Sequence, residues 1–273
     1  MKNISLAAAA GVHIGYIREN NEDNFYFNGI NLNETNREIP VVYENRSNDT
    51  LQLYAVCDGM GGEAHGELAS LIATDTLRKY QDMLQKIHYH SLEKYIDMYI
   101  NEVNNLIGDK VREHGGKRIG TTIALLALEG DRAHIFNIGD SRVYLLRSKT
   151  IRQISEDHTP AMRSVKMGLM TMEQAKTHPH RNKLTQYLGL SQQEMTVKPF
   201  YDLVQVKYND RFLLCSDGLT DMVAQEEIET ILNQDKPERN LIIELIDKAL
   251  HHGGRDNITA IVITAGKNGQ VIG

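Results

Sequence analysis

Strand-like runs occur in groups along this chain, and the amphipathic helical segments between them occur in pairs. In the first half, apolar runs of strand length cover 6–17, 24–27 and 51–57. Apolar residues then recur at helical spacing from 68 to 77 and from 92 to 111, which predicts two consecutive helices. Because strand and helix do not alternate, the order favours an α+β fold built in layers over repeated βαβ units.

The second half of the chain shows the same grouping. Its predicted elements are, in chain order, strands over 121–128, 133–138, 143–146 and 204–215, helices over 225–233 and 239–251, and a last strand over 258–264. Two antiparallel sheets packed face to face, with a helix pair outside each, would bury all of these apolar faces. No Gly/Ser-rich linker, repeat or charge block divides the chain, so we expect residues 1–273 to form a single domain.

Two segments do not fit the regular pattern. Residues 31–49 are polar and rich in Asn, which predicts a long hairpin excursion between two strands. Residues 162–182 mix Met, Lys, Thr and His with helical spacing over short pieces only. We expect this second segment to be a mobile, partly helical excursion from the sheets.

The charge balance excludes the most obvious polyanionic partners. Lys and Arg number 30 against 36 Asp and Glu, a formal net charge of −6, so no electrostatic attraction to nucleic acid or to anionic membranes is expected. No run approaches the roughly 18 consecutive apolar residues that a membrane span requires. Only Lys2 precedes the mildly apolar segment 4–15, which is unlike a signal peptide, so we expect a cytoplasmic protein. Cys57 and Cys215 each end an apolar run far apart in the chain, which predicts two reduced core thiols.

Carboxylates occupy the ends of the predicted strands. Asp58, Asp140 and Asp217 each follow a strand and adjoin a glycine, whereas Glu22-Asp23 and Asp256 directly precede strands. Each Asp-Gly pair taken alone is typical of an ordinary turn. If the strand ends converge, however, these carboxylates would share one site and repel one another unless cations neutralise them.

Such a site has a definite chemistry. Hard oxygen ligands without a Cys/His cluster favour Mg²⁺ or Mn²⁺ over structural zinc. Two such ions can lower the pKa of a water molecule between them and hold the oxygens of an in-line displacement at phosphorus. Arg18 would add a guanidinium group whose fork of donors matches a phosphate. The residues therefore predict hydrolytic phosphoryl chemistry.

Seven ordered motifs resemble those of the metal-dependent protein phosphatases, the protein phosphatase 2C family, and the resemblance runs from about residue 5 to residue 264. They are Arg18-x-x-Asn21-Glu22-Asp23, Asp58-Gly59-Met60-Gly61-Gly62, Gly120-Thr121-Thr122, Gly139-Asp140-Ser141-Arg142, Asp157-His158-Thr159, Ser216-Asp217-Gly218-Leu219 and Gly254-Arg255-Asp256-Asn257-Ile258-Thr259. One motif is weak support, whereas seven in register are strong. A further motif, His178-Pro179-His180-Arg181-Asn182, is typical of the bacterial serine/threonine phosphatase branch.

The resemblance implies an α-β-β-α sandwich with two metal ions, and a third in bacterial members, at one end between the sheets. The residues carried over are Asp58 as the bridge between two metals, Gly59 as a carbonyl ligand, Asp217 and Asp256 on the second metal, Glu22 and Asp23 acting through bound water, Asp140 with Asp217 on a third metal, and Arg18 on the substrate phosphate. Residues 160–184 match the flap, a segment beside the active site that affects substrate choice.

The same resemblance implies the reaction and the partners. A hydroxide that bridges the metals would attack phosphoserine or phosphothreonine directly, with no phosphoenzyme. The substrates would be phosphorylated proteins, the enzyme would oppose a bacterial serine/threonine kinase, and we expect a monomer. Neither Cys57 nor Cys215 suits a nucleophile, because a thiolate inside an apolar strand is disfavoured.

One position departs from the animal members of the family. They carry a histidine, proposed as the general acid, where this chain has Met60, as bacterial members do. The leaving oxygen must then be protonated by a metal-bound water, or no dedicated acid exists. His65 and His158 are at least as well explained as structural histidines near a helix start and a turn.

Three alternative functions fit the sequence less well. A catalytically inactive phosphoprotein-binding module would have lost some of Asp58, Asp217 and Asp256, and all three are present. A regulator dedicated to a single sporulation or stress-signalling antagonist would usually carry extra sensor or membrane domains. A nuclease or phosphodiesterase would need a basic track for the phosphate backbone, and the sequence has none.

Overall fold

The computed structural model describes residues 4–33, 41–47, 51–61, 65–85, 92–116, 118–190 and 196–266. In chain order the elements are β1 (Ser5–His13), β2 (Asn24–Phe27), β3 (Ile30–Asn31), β4 (Val41–Ser47), β5 (Leu51–Cys57), β6 (Gly59–Gly61), α1 (Gly66–Leu84), α2 (Leu92–Glu113), β7 (Ile119–Thr121), β8 (Ile123–Glu129), β9 (Arg132–Ile138), β10 (Arg142–Arg147), β11 (Thr150–Gln153), α3 (Pro160–Lys166), α4 (Met172–Lys176), β12 (Phe200–Gln205), β13 (Arg211–Cys215), α5 (Asp217–Thr220), α6 (Gln225–Leu232), α7 (Glu238–His251) and β14 (Ile258–Gly266).

Two six-stranded antiparallel sheets form the centre of the fold. The first sheet has the strand order β11-β10-β13-β14-β1-β4, and the second has the order β12-β9-β8-β5-β2-β3. A short ladder between β6 and β7 lies apart from both sheets. In the first sheet β1 pairs with β14 over its whole length, from Ser5 opposite Gly266 to His13 opposite Ile258.

Each central strand is apolar on both faces, because each sheet packs against the other sheet on one side and against helices on the other. In β2, Phe25 and Phe27 lie in the core between the sheets, while Tyr26 points into the core beneath α1 and α2. In β13, Phe212 faces the other sheet and Leu213 faces α6 and α7. The period of two along each strand therefore separates the cores of a four-layer α-β-β-α sandwich.

The structure confirms the predicted sandwich and corrects several elements. The predicted excursion over 31–49 contains β4, which pairs with β1 and covers the edge of the first sheet; residues 34–40 and 48–50 lie outside the described residues. The strand predicted over 6–17 ends at His13, because Gly15 adopts a left-handed conformation with φ +85°. β3, β6, β7 and β11 were not predicted, since two to four residues carry too little periodicity.

The flap is partly helical, as predicted. Thr159 caps α3 by accepting a hydrogen bond from the Met162 N–H, and Thr171 forms a reciprocal capping box with Gln174 at the start of α4. Both cysteines are free thiols with buried side chains. In the described ranges, no helix has both the length and the apolar composition that a membrane span requires.

Candidate active site

The chain brings its strand-end carboxylates to one end of the sandwich. Asp58 follows β5 and Asp23 precedes β2, and these neighbouring strands pair Cys57 with Asn24. Asp217 follows β13 and Asp256 lies shortly before β14, strands that pair Cys215 with Ala260 in the other sheet. Asp140 follows β9 in the second sheet. Antiparallel pairing thus places the end of one strand beside the start of the next, so both sheets contribute carboxylates to the same region.

Asp58 is held by the backbone and side chains of Thr121 and Thr122. The Asp58 carbonyl accepts hydrogen bonds from the Thr122 N–H and the Thr121 Oγ1, each at 2.9 Å. The Asp58 N–H donates to Thr122 Oγ1 at 2.9 Å, and Thr122 Oγ1 lies 2.7 Å from Ser141 Oγ. The Gly120-Thr121-Thr122 motif, to which the sequence assigned no role, therefore fixes the orientation of Asp58.

The loop after Asp58 passes very close to the start of α1. A Cβ atom on Gly59 would lie 2.2 Å from the Gly66 carbonyl oxygen and 2.4 Å from that of Glu22. A Cβ atom on Gly66 would lie 2.6 Å from the Glu22 carboxyl carbon. Only glycine fits at these two positions. Because Gly66 has no side chain, the Glu22 carboxylate has room beside the start of α1, within the site. Gly62 of the same motif lies outside the described residues.

Asp23 is a buried carboxylate with one firmly placed donor. The Ser216 Oγ donates to Asp23 Oδ2 at 2.7 Å, and Ser216 Oγ in turn accepts the Thr259 N–H at 3.0 Å. Burial raises the pKa of Asp23 to about 7 despite this hydrogen bond, with repulsion from Asp217 and Asp256 adding to the shift.

The neighbouring carboxylates show the same effect. Burial, followed by repulsion from Asp256 and Asp221, raises the pKa of Asp217 to about 6, although a side-chain hydrogen bond with Asp58 acts in the opposite direction. Burial also raises the pKa of Asp58 and of Asp140 well above the usual range, and each is further raised by the Asp217 carboxylate. These side chains are therefore held together at a cost unless they are protonated or neutralised.

The donor set fits a hard divalent cation. Asp23, Asp58, Asp140 and Asp217 provide only oxygen ligands in a mutually repelling arrangement, in which Asp23 and Asp140 are buried and Asp58 and Asp217 are half-buried. Oxygen donors of this kind are the ligands that Mg²⁺ or Mn²⁺ accepts. Within the part of the chain that the structure describes, no three His, Cys, Asp or Glu side chains are already gathered around one point. The structure thus supplies the donors and their electrostatics, without a preformed coordination shell.

Arg18 lies at the mouth of this region and is already paired. Its Nη2 lies 2.6 Å from Asp256 Oδ2, with 51% and 36% of the two side chains exposed. The residue predicted to bind phosphate therefore contacts a residue predicted to bind metal. The pair places a cationic group at the solvent edge of the carboxylates.

Asn257 is a site residue that the sequence reasoning did not single out. Its Nδ2 donates to the carbonyls of Ile14 at 2.8 Å and Asn20 at 3.0 Å, and its Oδ1 accepts the Glu22 N–H at 2.8 Å. These bonds fix the loop that carries Arg18, Glu22 and Asp23. Its place directly after Asp256, in the motif over 254–259, is the sequence signal that could have indicated this role.

The turn that carries Asp140 is held by His158 and Asp157. The His158 N–H donates to the Gly139 carbonyl at 2.8 Å, and His158 Nδ1 accepts the Gly139 N–H at 3.2 Å. Asp157 accepts two hydrogen bonds from Arg142 at its Oδ2, at 3.0 and 2.7 Å. These contacts support the structural interpretation of His158. The His65 ring contacts the His114 ring at a tilt, with 4.5 Å between ring centroids and 56° between the planes.

A cavity of about 360 Å³ extends from Asp140 and Asp217 beneath the flap. Met162, Met172 and Lys176 line its flap side, and the loop and helix after α5 line the other. The flap is anchored there, since Asn182 Nδ2 donates to Asp221 Oδ2 at 2.7 Å.

Comparison with known proteins gives a consistent result. The family model described as protein phosphatase 2C matches residues 43–244. The serine/threonine phosphatase stp of Listeria welshimeri is 33% identical over 253 residues, which cover 91% of this chain and 92% of the relative. The serine/threonine phosphatase Stp1 of Staphylococcus aureus has a crystal structure with a TM-score of 0.80 and 31% identity, covering 96% of this chain and 95% of that one. The catalytic domain of the phosphatase PstP, in complex with two manganese ions, gives a TM-score of 0.77 and 30% identity, covering 97% and 100%.

Proposed function

Because this chain belongs to the protein phosphatase 2C family, we propose that it is a phosphatase that hydrolyses phosphoserine and phosphothreonine in proteins with the help of Mg²⁺ or Mn²⁺. One observation carries the proposal. Asp23, Asp58, Asp140 and Asp217 meet at one end of the sandwich with raised pKa values, the first and third buried and the other two half-buried, and the Arg18 guanidinium lies at their solvent edge.

Each carboxylate has a proposed role toward the metals. Asp58 would bridge two ions, with the Gly59 carbonyl on one of them and Asp217 and Asp256 on the other. Glu22 and Asp23 would act through bound water, and Asp140 with Asp217 would hold a third ion. When bound, such ions supply a nucleophilic hydroxide at neutral pH and a positive field for the phosphoryl oxygens.

The remaining residues position these groups. Thr121 and Thr122 hold the backbone of Asp58 by three hydrogen bonds, so its carboxylate needs little reorganisation when a substrate arrives. Arg18 would orient the phosphate by exchanging part of its contact with Asp256 for phosphoryl oxygens. Met60 has no ionisable proton, so the leaving oxygen would take its proton from water held near Asp140.

The biological setting is also part of the proposal. The relatives are named serine/threonine phosphatases, which supports phosphoproteins as substrates. A bacterial serine/threonine kinase as the opposing enzyme rests on the family resemblance alone. The monomeric state and the cytoplasmic location stay predictions.

The test is hydrolysis of a panel of phosphoserine, phosphothreonine and phosphotyrosine peptides by the purified full chain with Mn²⁺, Mg²⁺ or EDTA. We expect turnover of the first two peptide classes, loss of turnover in EDTA and recovery with Mn²⁺.

Asp58→Asn should reduce Mn²⁺-dependent turnover at least 100-fold, and its thermal unfolding midpoint in EDTA should equal or exceed that of the wild type because one repelling charge is removed. Asp109→Asn, on the exposed face of α2, is the matched control. Turnover that survives EDTA, or an Asp58→Asn variant within tenfold of the wild type, would contradict the proposal.

A further inference from the structure

Two large apolar side chains are exposed immediately before Arg18. Tyr16 is 67% exposed and Ile17 is 68% exposed. Single exposed apolar residues are common on protein surfaces and need no explanation. This pair differs because it directly adjoins the residue that the proposed function places on the substrate phosphate.

Contacts on both sides of the pair fix the backbone of this loop, and in this conformation both side chains face solvent. Gly15, with φ +85°, packs so closely that a Cβ atom there would lie 2.3 Å from the Asp256 carbonyl oxygen. The Tyr16 N–H donates to the Gly254 carbonyl at 2.7 Å. Asn257 holds the carbonyl of Ile14 on one side of the pair and that of Asn20 on the other. The segment therefore keeps Tyr16 and Ile17 in a constant position relative to Asp256.

We propose that Tyr16 and Ile17 form an apolar contact for the substrate side chain that neighbours the phosphorylated residue. The inference rests on the proposed function, because it assumes that Arg18 contacts the phosphate. Successive residues of an extended peptide are about 3.4 Å apart, so a phosphate at Arg18 brings the adjacent residue beside this pair. The continuity of the pair with Arg18 favours a substrate over a second copy of the chain. The enzyme then prefers phosphopeptides with an aliphatic residue next to the phosphorylated residue.

The test compares two phosphothreonine peptides that differ only in the flanking residues, leucine on both sides or glycine on both sides. Partial burial of a leucine side chain changes kcat/KM by about five- to twentyfold, so the wild-type enzyme should favour the leucine peptide by that factor. In Tyr16→Ser/Ile17→Ser the ratio of the two kcat/KM values should fall close to one. Tyr16→Phe should retain the preference, because it keeps the apolar ring.

Tyr208→Ser is the matched control. Tyr208 is 56% exposed and precedes Asn209, whose N–H donates to the Ala265 carbonyl at the far end of β14 from Asp256. This variant should keep the wild-type ratio, and equal unfolding temperatures would show that all variants are folded.

Each result has one meaning. A wild-type ratio near one, or a double variant that keeps the wild-type ratio, overturns the inference while active wild-type enzyme leaves the proposed function standing. Equal losses on both peptides would show that the segment only positions Arg18, and would also overturn it. A dimer that the double variant dissociates in size-exclusion chromatography would assign the pair to self-association instead. A wild-type enzyme inactive on every phosphopeptide would overturn the proposed function itself.

Discussion

A carboxylate buried beside other carboxylates is stable only when it is protonated or neutralised by a cation. Asp23 and Asp217 show this directly, with pKa values raised to about 7 and about 6 chiefly by burial. At neutral pH and without metal, some of these carboxylates are therefore charged and repel one another, while others carry protons that a bound metal must displace. The Arg18 guanidinium partly offsets this charge at Asp256.

Arg18→Ala tests the phosphate contact. Loss of a charge-assisted hydrogen bond costs about 1.5–3 kcal/mol, so kcat/KM on a phosphopeptide should fall by about 10- to 150-fold. Because Arg18 contacts Asp256 at 2.6 Å, removing it frees a carboxylate, and Mn²⁺ affinity measured by calorimetry should hold or rise. Arg18→Lys keeps the charge but lacks the fork and should recover only part of the activity. An unchanged kcat/KM in Arg18→Ala would refute the role.

Asp140→Ala separates catalysis from structure by the choice of substrate. Assistance to the leaving oxygen matters for serine or threonine and little for p-nitrophenol, whose oxyanion is already stable. We expect a far larger loss of hydrolysis on a phosphothreonine peptide than on p-nitrophenyl phosphate. Equal losses on both substrates, together with a lower unfolding temperature, would identify Asp140 as a residue that only orders the turn after β9.

At the scale of elements, a few connections determine where the carboxylates lie. Asn257, just before β14, fixes the loop between β1 and β2. Thr121 at the end of β7 and Thr122 directly after it fix the residue after β5. These hydrogen bonds link segments that are remote in the chain. A change in either loop would therefore displace a residue proposed to bind metal.

Asn257→Ala removes three hydrogen bonds from a buried side chain. At about 1 kcal/mol for each bond, the free energy of unfolding should fall by about 2–4 kcal/mol in urea titrations. Turnover should fall as well, because Arg18, Glu22 and Asp23 lose their common anchor. Asn101→Ala, which removes a single exposed bond on α2, serves as the control and should cost much less. A wild-type stability for Asn257→Ala would show that the loop is held by other contacts.

At the scale of the whole molecule, packing of the two sheets brings together carboxylates that repel one another, and this repulsion works against the packing. Asp23 and Asp58 adjoin strands of the second sheet, and Asp217 and Asp256 lie next to strands of the first. Asp140 lies in the turn between β9 of the second sheet and β10 of the first. The core between the sheets therefore brings together carboxylates that repel across the interface. Bound cations would turn this repulsion into a link between the sheets.

The pH dependence of stability follows from the same carboxylates. Their pKa values in the folded protein, about 7 for Asp23 and about 6 for Asp217, exceed the value near 4 expected when unfolded. Between these values the folded state binds more protons than the unfolded state, so stability falls as pH rises. In EDTA, the unfolding temperature should decrease from pH 5 to pH 7.5, and saturating Mn²⁺ should reduce this decrease. A metal-free protein that becomes more stable over this range would contradict the buried, mutually repelling arrangement.

The sequence by itself determined the layers, most element positions and the family, because each depends on residues close together in the chain. The apolar runs of strand length at 24–27 and 51–57 and the helical spacing of 92–111 are local patterns. The seven motifs are likewise short and ordered, and the carboxylate candidates followed from their places at strand ends.

Only the tertiary structure decided how the motifs meet. The pairing of β4 with β1, the pinning of Asp58 by Thr121 and Thr122, the tether from Asn257 and the contact of Arg18 with Asp256 all join distant segments. A hydrogen bond or an ion pair depends on a separation of about 3 Å in space, and nothing in the local pattern of either partner encodes that separation. The physical reason is that closure of both sheets, driven by burial of their apolar faces, sets these distances.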